Sequence, residues 1–143
     1  MHIEIANSAT DELVTAFAML IPQLSSSAAP VTREALQSVI DDEAVTVFVA
    51  RHDEKIVGTL SLAIFHIPTG VRAWIEDVVV DDAARGLGVG LALTQAAIDH
   101  ATNHGARSVD LTSRASRTAA HRLYERAGFA IRETNVYRYS LGS

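Results

Sequence analysis

Residues 74–93 read WIEDVVVDDAARGLGVGLAL, and this stretch decides the fold. Residues 75–80 are rich in β-branched side chains, which suit a buried strand. A polar turn follows over residues 81–85. Three glycines then alternate at Gly86, Gly88 and Gly90, ahead of a long segment with an apolar helical face. The stretch therefore predicts a strand, a short loop and a helix.

The glycine loop predicts a binding site for a phosphate or pyrophosphate. Glycine lets the backbone approach a ligand because no Cβ intervenes, and a helix N-terminus presents free N–H groups and a partial positive charge. Arg85 adds a permanent cation at the rim. Two other glycine motifs fit poorly. A P-loop would have lysine where Leu91 stands, and the G-x-G-x-G spacing, five residues after the strand, departs from the dinucleotide fingerprint.

Length and composition predict one cytoplasmic domain spanning residues 1–143. The chain has 143 residues and no cysteine, which excludes disulfides, thiolate metal sites and cysteine nucleophiles. The net charge of −5 argues against nucleic acid as the main partner. No apolar run approaches the roughly 20 residues of a membrane span, and the N-terminus lacks the basic start and apolar core of a signal peptide. We therefore expect no membrane partner.

Hydrophobic periodicity predicts the order β-α-α-β-β-β-α-β-α-β-β, an α/β (α+β) fold with one mixed sheet and helices on both faces. A first helix should begin near Ser8–Asp11 and end near Leu24, and Thr32 should cap a second. The sequence predicts antiparallel strands within residues 45–80 and a parallel strand over residues 108–112.

The last third of the chain predicts a helix followed by a closing pair of strands. Ser116 should cap this helix, and Gly128 should end it. The closing strands are expected over residues 129–132 and 136–141. No repeat or linker interrupts the order of elements.

Two segments resemble the GCN5-related N-acetyltransferase (GNAT) superfamily. Residues 85–90, RGLGVG, are similar to its R/Q-x-x-G-x-G/A acyl-CoA loop. Residues 120–129, AHRLYERAGF, are similar to its A-x-x-x-Y-x-x-x-G-F segment after the fifth strand. The resemblance covers about residues 45–141 and implies a GNAT-like fold. One position departs, because Arg117 stands where many members have asparagine seven residues before the tyrosine.

The resemblance implies acetyl-CoA as cosubstrate and no metal. The backbone of Val78, Val79 and Val80 would pair with the pantetheine arm, which needs this strand to diverge from the strand at residues 108–112. Arg117 would either reach a CoA phosphate or point into solvent. The pyrophosphate would be held by the backbone N–H groups of Arg85, Gly86, Leu87, Gly88, Val89 and Gly90.

The implied reaction is acetyl transfer to a primary amine of a small molecule or a protein. The amine must lose a proton, since a lysine-type amine has a pKa of ~10.4. Glu76 is the candidate general base, and Asp77 is its neighbour on the opposite face of the strand unless a bulge intervenes. Tyr124 is the candidate general acid for the departing thiolate, and the Val78 N–H is the candidate oxyanion donor.

Several alternatives stay open at this stage. A non-catalytic acyl-CoA-binding sensor would share the loop, whereas an NAD-dependent oxidoreductase would need a parallel sheet before Gly86. The resemblance also allows a homodimer through the C-terminal strands. His100 and His104 lie one helical turn apart, as in some zinc sites, but a solvent position near the helix C-terminus is favoured.

Overall fold

The computed structural model describes residues 1–114 and 117–142. Five strands form one sheet in the order β1-β2-β3-β4-β5, and every neighbouring pair is antiparallel except the parallel pair β4–β5. The mixed fold class and the parallel crossover are therefore confirmed. The elements are β1 (His2–Ile5), α1 (Asp11–Leu24), α2 (Arg33–Asp41), β2 (Val45–His52), β3 (Lys55–Ile67), β4 (Gly70–Val80), a 3₁₀ turn (Asp82–Ala84), α3 (Val89–Asn103), β5 (Val109–Asp110) and α4 (Thr118–Arg126).

Threonine side chains begin the first two helices. Thr10 Oγ1 accepts a hydrogen bond from the Leu13 N–H at 3.1 Å, and Thr32 Oγ1 accepts one from the Ala35 N–H at 3.1 Å. Each bond satisfies a donor that the first helical turn leaves free. The Thr32 cap is confirmed, whereas the predicted Ser116 cap lies outside the described residues. None of the helices in the described part of the chain is long and apolar enough to cross a membrane.

The sheet carries helices on both faces, as predicted. On β2, Phe48 and Ala50 pack into the core that contains the α3 side chains. Val47 and Val49, on the opposite face, pack into the core that contains the α1 side chains and Leu36 of α2. Alternate β2 residues pack into different cores because successive side chains of a strand point to opposite faces of the sheet.

Two glycines set how closely α3 approaches the sheet and where the helix ends. A Cβ on Gly58 of β3 would lie 3.0 Å from Val89 Cγ1 and 3.1 Å from the Val79 carbonyl oxygen. Glycine at this position therefore lets the start of α3 approach the sheet closely. At the other end, Gly105 has φ +77°, a left-handed conformation that ends the helix after His104.

The two closing strands predicted over residues 129–132 and 136–141 are not formed. Residues 129–142 take no place in the sheet, and every residue from 130 to 142 is exposed. The predicted strand over residues 108–112 is likewise reduced to Val109–Asp110. The alternating apolar pattern predicts strand propensity, but a strand also needs a ladder partner, and residues 129–142 have none in the described chain.

Candidate active site

The strands β4 and β5 diverge at the centre of the sheet. Their parallel pairing joins only Ala73 to Val109 and Trp74 to Asp110, whereas β4 continues to Val80. Over residues 79–80 the other edge of β4 pairs with β3. The divergence required for an added ladder along Val78, Val79 and Val80 is therefore present, while their contact with a pantetheine arm stays a prediction.

A β-bulge interrupts β4 beside this divergence. Glu76 pairs with Ser61 and Val79 pairs with Thr59, so Asp77 and Val78 together lie opposite one residue of β3. Asp77 has φ +52°, a left-handed conformation that aspartate tolerates better than most residues. The extra residue shifts the alternation, and Ile75 and Val78 consequently pack into the same core although they are three positions apart.

Glu76 and Asp77 both line one cleft of about 140 Å³. The sequence predicts opposite faces for these two residues unless a bulge intervenes, and the structure has that bulge at Asp77. The sequence-based candidates Glu76, Val78, Arg117 and Tyr124 all lie in the lining. The complete lining is Leu24, Ile75, Glu76, Asp77, Val78, Leu111, Thr112, Arg117 and Tyr124.

Four lining residues were missed by the sequence analysis: Leu24, Ile75, Leu111 and Thr112. Leu111 and Thr112 directly follow β5, so the predicted parallel pairing with β4 could have placed them here. Leu24 is the last residue of α1. No local pattern marks a helix end as part of a distant cleft, because that contact depends on how α1 packs across the sheet.

The two carboxylates have different surroundings. Glu76 Oε1 accepts a hydrogen bond from the Trp74 indole Nε1 at 2.6 Å. Asp77 is exposed as a residue, but its carboxyl group is partly buried. Burial raises the pKa of Asp77 above its ordinary value, and the negative charge of Glu76 raises it further.

Tyr124 enters the cleft from α4. Burial raises the pKa of its phenol, and the positive charge of Arg117 partly opposes that shift. The Tyr124 ring packs edge-on against the Phe129 ring at a centroid distance of 5.8 Å. The Phe129 N–H also donates a hydrogen bond to the Tyr124 carbonyl at 2.9 Å. These two contacts hold the Tyr124 ring in place against Phe129.

The loop between β4 and α3 is held by side chains at its beginning. Gln23 Oε1 accepts a hydrogen bond from the Asp82 N–H at 2.8 Å. Asp81 Oδ1 accepts one from the Ala83 N–H at 3.1 Å. Arg85, predicted as a cation at the rim, forms an exposed ion pair with Asp82 at 2.8 Å. Solvent screening makes such a pair weak, so Arg85 can still turn toward an anion.

The three loop glycines have different structural roles. Gly86 and Gly88 have φ of +83° and +78°, and an added Cβ at either would meet no atom within 4 Å. Glycine is needed there for the left-handed backbone, and the space outside it is open. Gly90 is instead a packing residue, because its Cβ would lie 2.6 Å from Leu123 Cδ1 of α4.

Of the two histidines, His100 of α3 packs against the sheet, whereas His104 is exposed. The His100 ring meets Phe48 edge-on at 5.5 Å, and its Nε2 lies 3.3 Å from Thr46 Oγ1. Burial and the neighbouring His104 lower the pKa of His100. The expected solvent position is therefore wrong for His100. Within residues 1–114 and 117–142, no three histidine, aspartate or glutamate side chains are grouped to hold a metal.

Comparison with known proteins agrees with this geometry. The family model described as "Acetyltransferase (GNAT) family" matches residues 11–129. A curated relative, N-alpha-acetyltransferase 30 of Schizosaccharomyces pombe, is 34% identical over 95 residues, which cover 66% of this chain. The match spans only 63% of that relative's length.

Solved structures share the fold over nearly the whole chain. A putative acetyltransferase from Agrobacterium tumefaciens superposes with a TM-score of 0.88 at 26% identity, covering 98% of this chain and 100% of its own. An aminoglycoside acetyltransferase from an uncultured soil metagenomic sample gives a TM-score of 0.84 at 22% identity, covering 99% and 96%. The second likeness is of fold alone. Because the family model matches most of its length, this chain belongs to the GNAT family of acetyltransferases.

Proposed function

We propose that this protein transfers the acetyl group of acetyl-CoA to a primary amine. The observation that carries the proposal is the shared cleft, where Asp77, Glu76 and the phenol of Tyr124 lie beside the free edge of β4. Acyl transfer needs a base, an oxyanion donor and an acid for the leaving group, and these residue types supply all three. We also propose that residues 1–143 act as one cytoplasmic domain and need no metal.

The cosubstrate would be held mainly by backbone. Open space outside Gly86 and Gly88 suits the pyrophosphate, and the N–H groups at the start of α3 would donate to it. The free edge of β4 would add the pantetheine arm as a further strand. Arg117, at the start of α4 and in the cleft lining, is the nearby cation for a phosphate. When bound, acetyl-CoA supplies an activated acyl carbon with a thiolate leaving group.

The two carboxylates would have different roles toward the acceptor amine. A base that accepts a proton near neutral pH benefits from a raised pKa, and Asp77 has this property. Glu76, held by the Trp74 indole, would bind the acceptor ammonium by charge. Glu76 is the base predicted from the sequence; we propose Asp77 for that role and Glu76 as the group that binds the ammonium, and the pH–rate profiles of Asp77→Asn and Glu76→Gln decide between the two assignments.

Tyr124 and Val78 complete the reaction. The amine attacks the thioester carbon, and the Val78 N–H donates to the oxygen that becomes negative. The C–S bond then breaks, and Tyr124 gives its phenolic proton to the sulfur. An ordinary phenol carries this proton at neutral pH, and burial raises the pKa of Tyr124 further.

The names of similar proteins support an amine acceptor. One relative is named for acetylation of protein α-amines, and one structural neighbour for acetylation of aminoglycosides. Both acceptor classes present a cationic amine, and two carboxylates beside a tryptophan are suited to bind one. We therefore propose a primary amine as the acceptor group. The experiment determines whether that amine belongs to a small molecule or to a protein.

The test is thiol release from acetyl-CoA in the presence of an amine panel. The panel contains an aminoglycoside, a polyamine and a peptide with a free N-terminus, and mass spectrometry identifies the acetylated product. Release with at least one amine, lost in Tyr124→Phe, supports the proposal. Acetyl-CoA binding without release for any amine would favour a non-catalytic acyl-CoA sensor, the alternative that shares the same loop.

A further inference from the structure

The last turn of α1 contacts the β4–α3 loop, defined as residues 81–88. Gln23 lies one residue before the end of α1, and its Oε1 accepts a hydrogen bond from the Asp82 N–H at 2.8 Å. Its Nε2 lies 3.5 Å from Asp81 Oδ1, the carboxylate oxygen that also accepts a hydrogen bond from the Ala83 N–H at 3.1 Å. One side chain of α1 therefore holds two successive residues at the start of a loop that is distant in sequence.

This contact is a large part of what anchors the loop. In the part of the chain that the structure describes, Gln23 is the only side chain from another element with a hydrogen bond to the loop. The Asp81 N–H also donates to the Val57 carbonyl of β3 at 2.8 Å, and Ala84 is buried. Residues 85–88, in contrast, are all exposed. Their position therefore depends on the anchors that precede them and on the start of α3.

An anchored loop binds a ligand more tightly than a loose one. Fixing a flexible backbone costs conformational entropy, and a loop that other parts of the protein already hold loses less of it on binding. The hydrogen bonds of Gln23 are made within the protein and leave the N–H groups of residues 85–88 available. Gln23 can thus strengthen the binding of an anion that it does not touch.

The same end of α1 also reaches the cleft. Leu24, the residue after Gln23, is part of the cleft lining together with Glu76 and Asp77. One helical turn therefore lies against the β4–α3 loop through Gln23 and against the carboxylates' cleft through Leu24. This arrangement sets the spacing between the glycine loop and the groups proposed to act on the amine.

We propose that Gln23 is a positioning residue for the cosubstrate. Its side chain holds the start of the β4–α3 loop, so that the backbone N–H groups of residues 85–90 are already arranged for the pyrophosphate of acetyl-CoA. The inference rests on the proposed function, because it assigns Gln23 to the cosubstrate site proposed there. It adds a residue of α1 to a site that the sequence motif confines to the glycine loop.

The test compares two acyl donors in the wild type and in Gln23→Met. Methionine keeps the length of the side chain and suits a helix, but it lacks the amide group. Calorimetric titration should show acetyl-CoA affinity lowered by ~3–10-fold, the effect of losing about one hydrogen bond. Acetyl-pantetheine has the same thioester and arm without the pyrophosphate. Measured by competition against acetyl-CoA, it should bind both proteins equally.

Hydrogen exchange provides a second readout, at the loop itself. In Gln23→Met without ligand, the amides of residues 82–88 should exchange faster than in the wild type, because the loop has lost an anchor. Exchange in the body of α1 and in α3 should stay the same. That pattern separates a local release of the loop from a general loss of stability.

Gln95→Met is the matched control, with the same substitution on another helix. The Gln95 side chain is exposed on α3 and donates a hydrogen bond to Asp99 of the same helix at 3.4 Å. This variant should match the wild type in its affinity for both donors and in the exchange of residues 82–88.

Three results would overturn the inference while leaving the proposed function intact. They are equal acetyl-CoA affinity in the wild type and Gln23→Met, equal losses of affinity for acetyl-CoA and acetyl-pantetheine, and unchanged exchange of residues 82–88. The second result would locate the effect away from the pyrophosphate. A wild type that does not bind acetyl-CoA would overturn the proposed function and this inference together.

Discussion

The glycine loop after β4 and the cleft between β4 and β5 differ in the atoms they present. At Gly86 and Gly88 the chain presents backbone in a left-handed conformation, with open space outside it. In the cleft it presents the side chains of Glu76, Asp77 and Tyr124, brought together by a bulge and by α4. The loop is therefore suited to bind an anionic ligand whatever reaction follows. The side chains in the cleft determine which reaction that is. Variants of the two regions should accordingly separate binding from turnover.

The largest effect is expected in the cleft, from Tyr124→Phe. This change removes the proton donor but keeps the ring packed on Phe129, so kcat should fall by ~10²–10⁴-fold with acetyl-CoA affinity nearly unchanged. Steady-state kinetics and a binding titration on the same sample measure the two quantities. An unchanged kcat would remove Tyr124 from the role of general acid.

The loop should respond in the opposite way. Gly88→Val places a β-branched side chain at φ +78° and in the path of the ligand, so we expect acetyl-CoA affinity to fall by at least ~100-fold. Gly105→Val is the control, because Gly105 has φ +77°, equally open space and a position at the far end of α3. It should cost similar stability and leave affinity intact. Equal affinity losses in both variants would attribute the effect to strain instead of to the site.

The pH–rate profile tests the two carboxylates against each other. The pKa of Asp77 is raised in the folded protein, so the carboxylate becomes protonated, and ceases to act as a base, as the pH falls through that raised value. Activity should therefore decline toward acid pH at a higher pH than it would for an ordinary aspartate. Asp77→Asn should lower kcat by ~10²-fold and remove this acid limb. Asparagine also tolerates φ +52°, so the bulge should survive.

Glu76→Gln should raise the KM for the amine and keep the acid limb. If the limb disappears in Glu76→Gln and remains in Asp77→Asn, the roles are reversed and Glu76 is the base.

The smallest effect is on stability, at Gly90 in the first turn of α3. Gly90→Ala puts a Cβ 2.6 Å from Leu123 Cδ1, the flexible end of a side chain that can shift, and alanine favours the helix, so the net cost should stay below about 1 kcal/mol. Chemical denaturation measures it. The double variant Gly90→Ala with Leu123→Ala should show strong non-additivity, because the second change removes the clash. Additive losses would mean that α4 does not pack on Gly90 in solution.

The contrast between the regions also explains what the sequence could predict. The loop depends on residue type at fixed positions, so Gly86, Gly88 and the start of α3 are visible as a motif. The helix caps at Thr10 and Thr32 are equally local. The order of elements follows from periodicity, and the GNAT resemblance supplies the position of Tyr124.

The remaining features depend on contacts between distant parts of the chain. The bulge at Asp77 is set by the register of β4 on β3, and no residue in β4 marks it. Leu24 reaches the cleft only through the packing of α1. Residues 136–141 have the alternation of a strand, but whether they form one depends on a ladder partner, which the local pattern does not identify.

The most direct test of the account is a calorimetric titration of the wild type with acetyl-CoA, beside CoA, NAD and ATP. The account predicts binding of acetyl-CoA and CoA at one site per chain, and no comparable binding of NAD or ATP. The absence of acetyl-CoA binding would contradict the central claim, and binding of NAD or ATP in its place would give the glycine loop a different ligand.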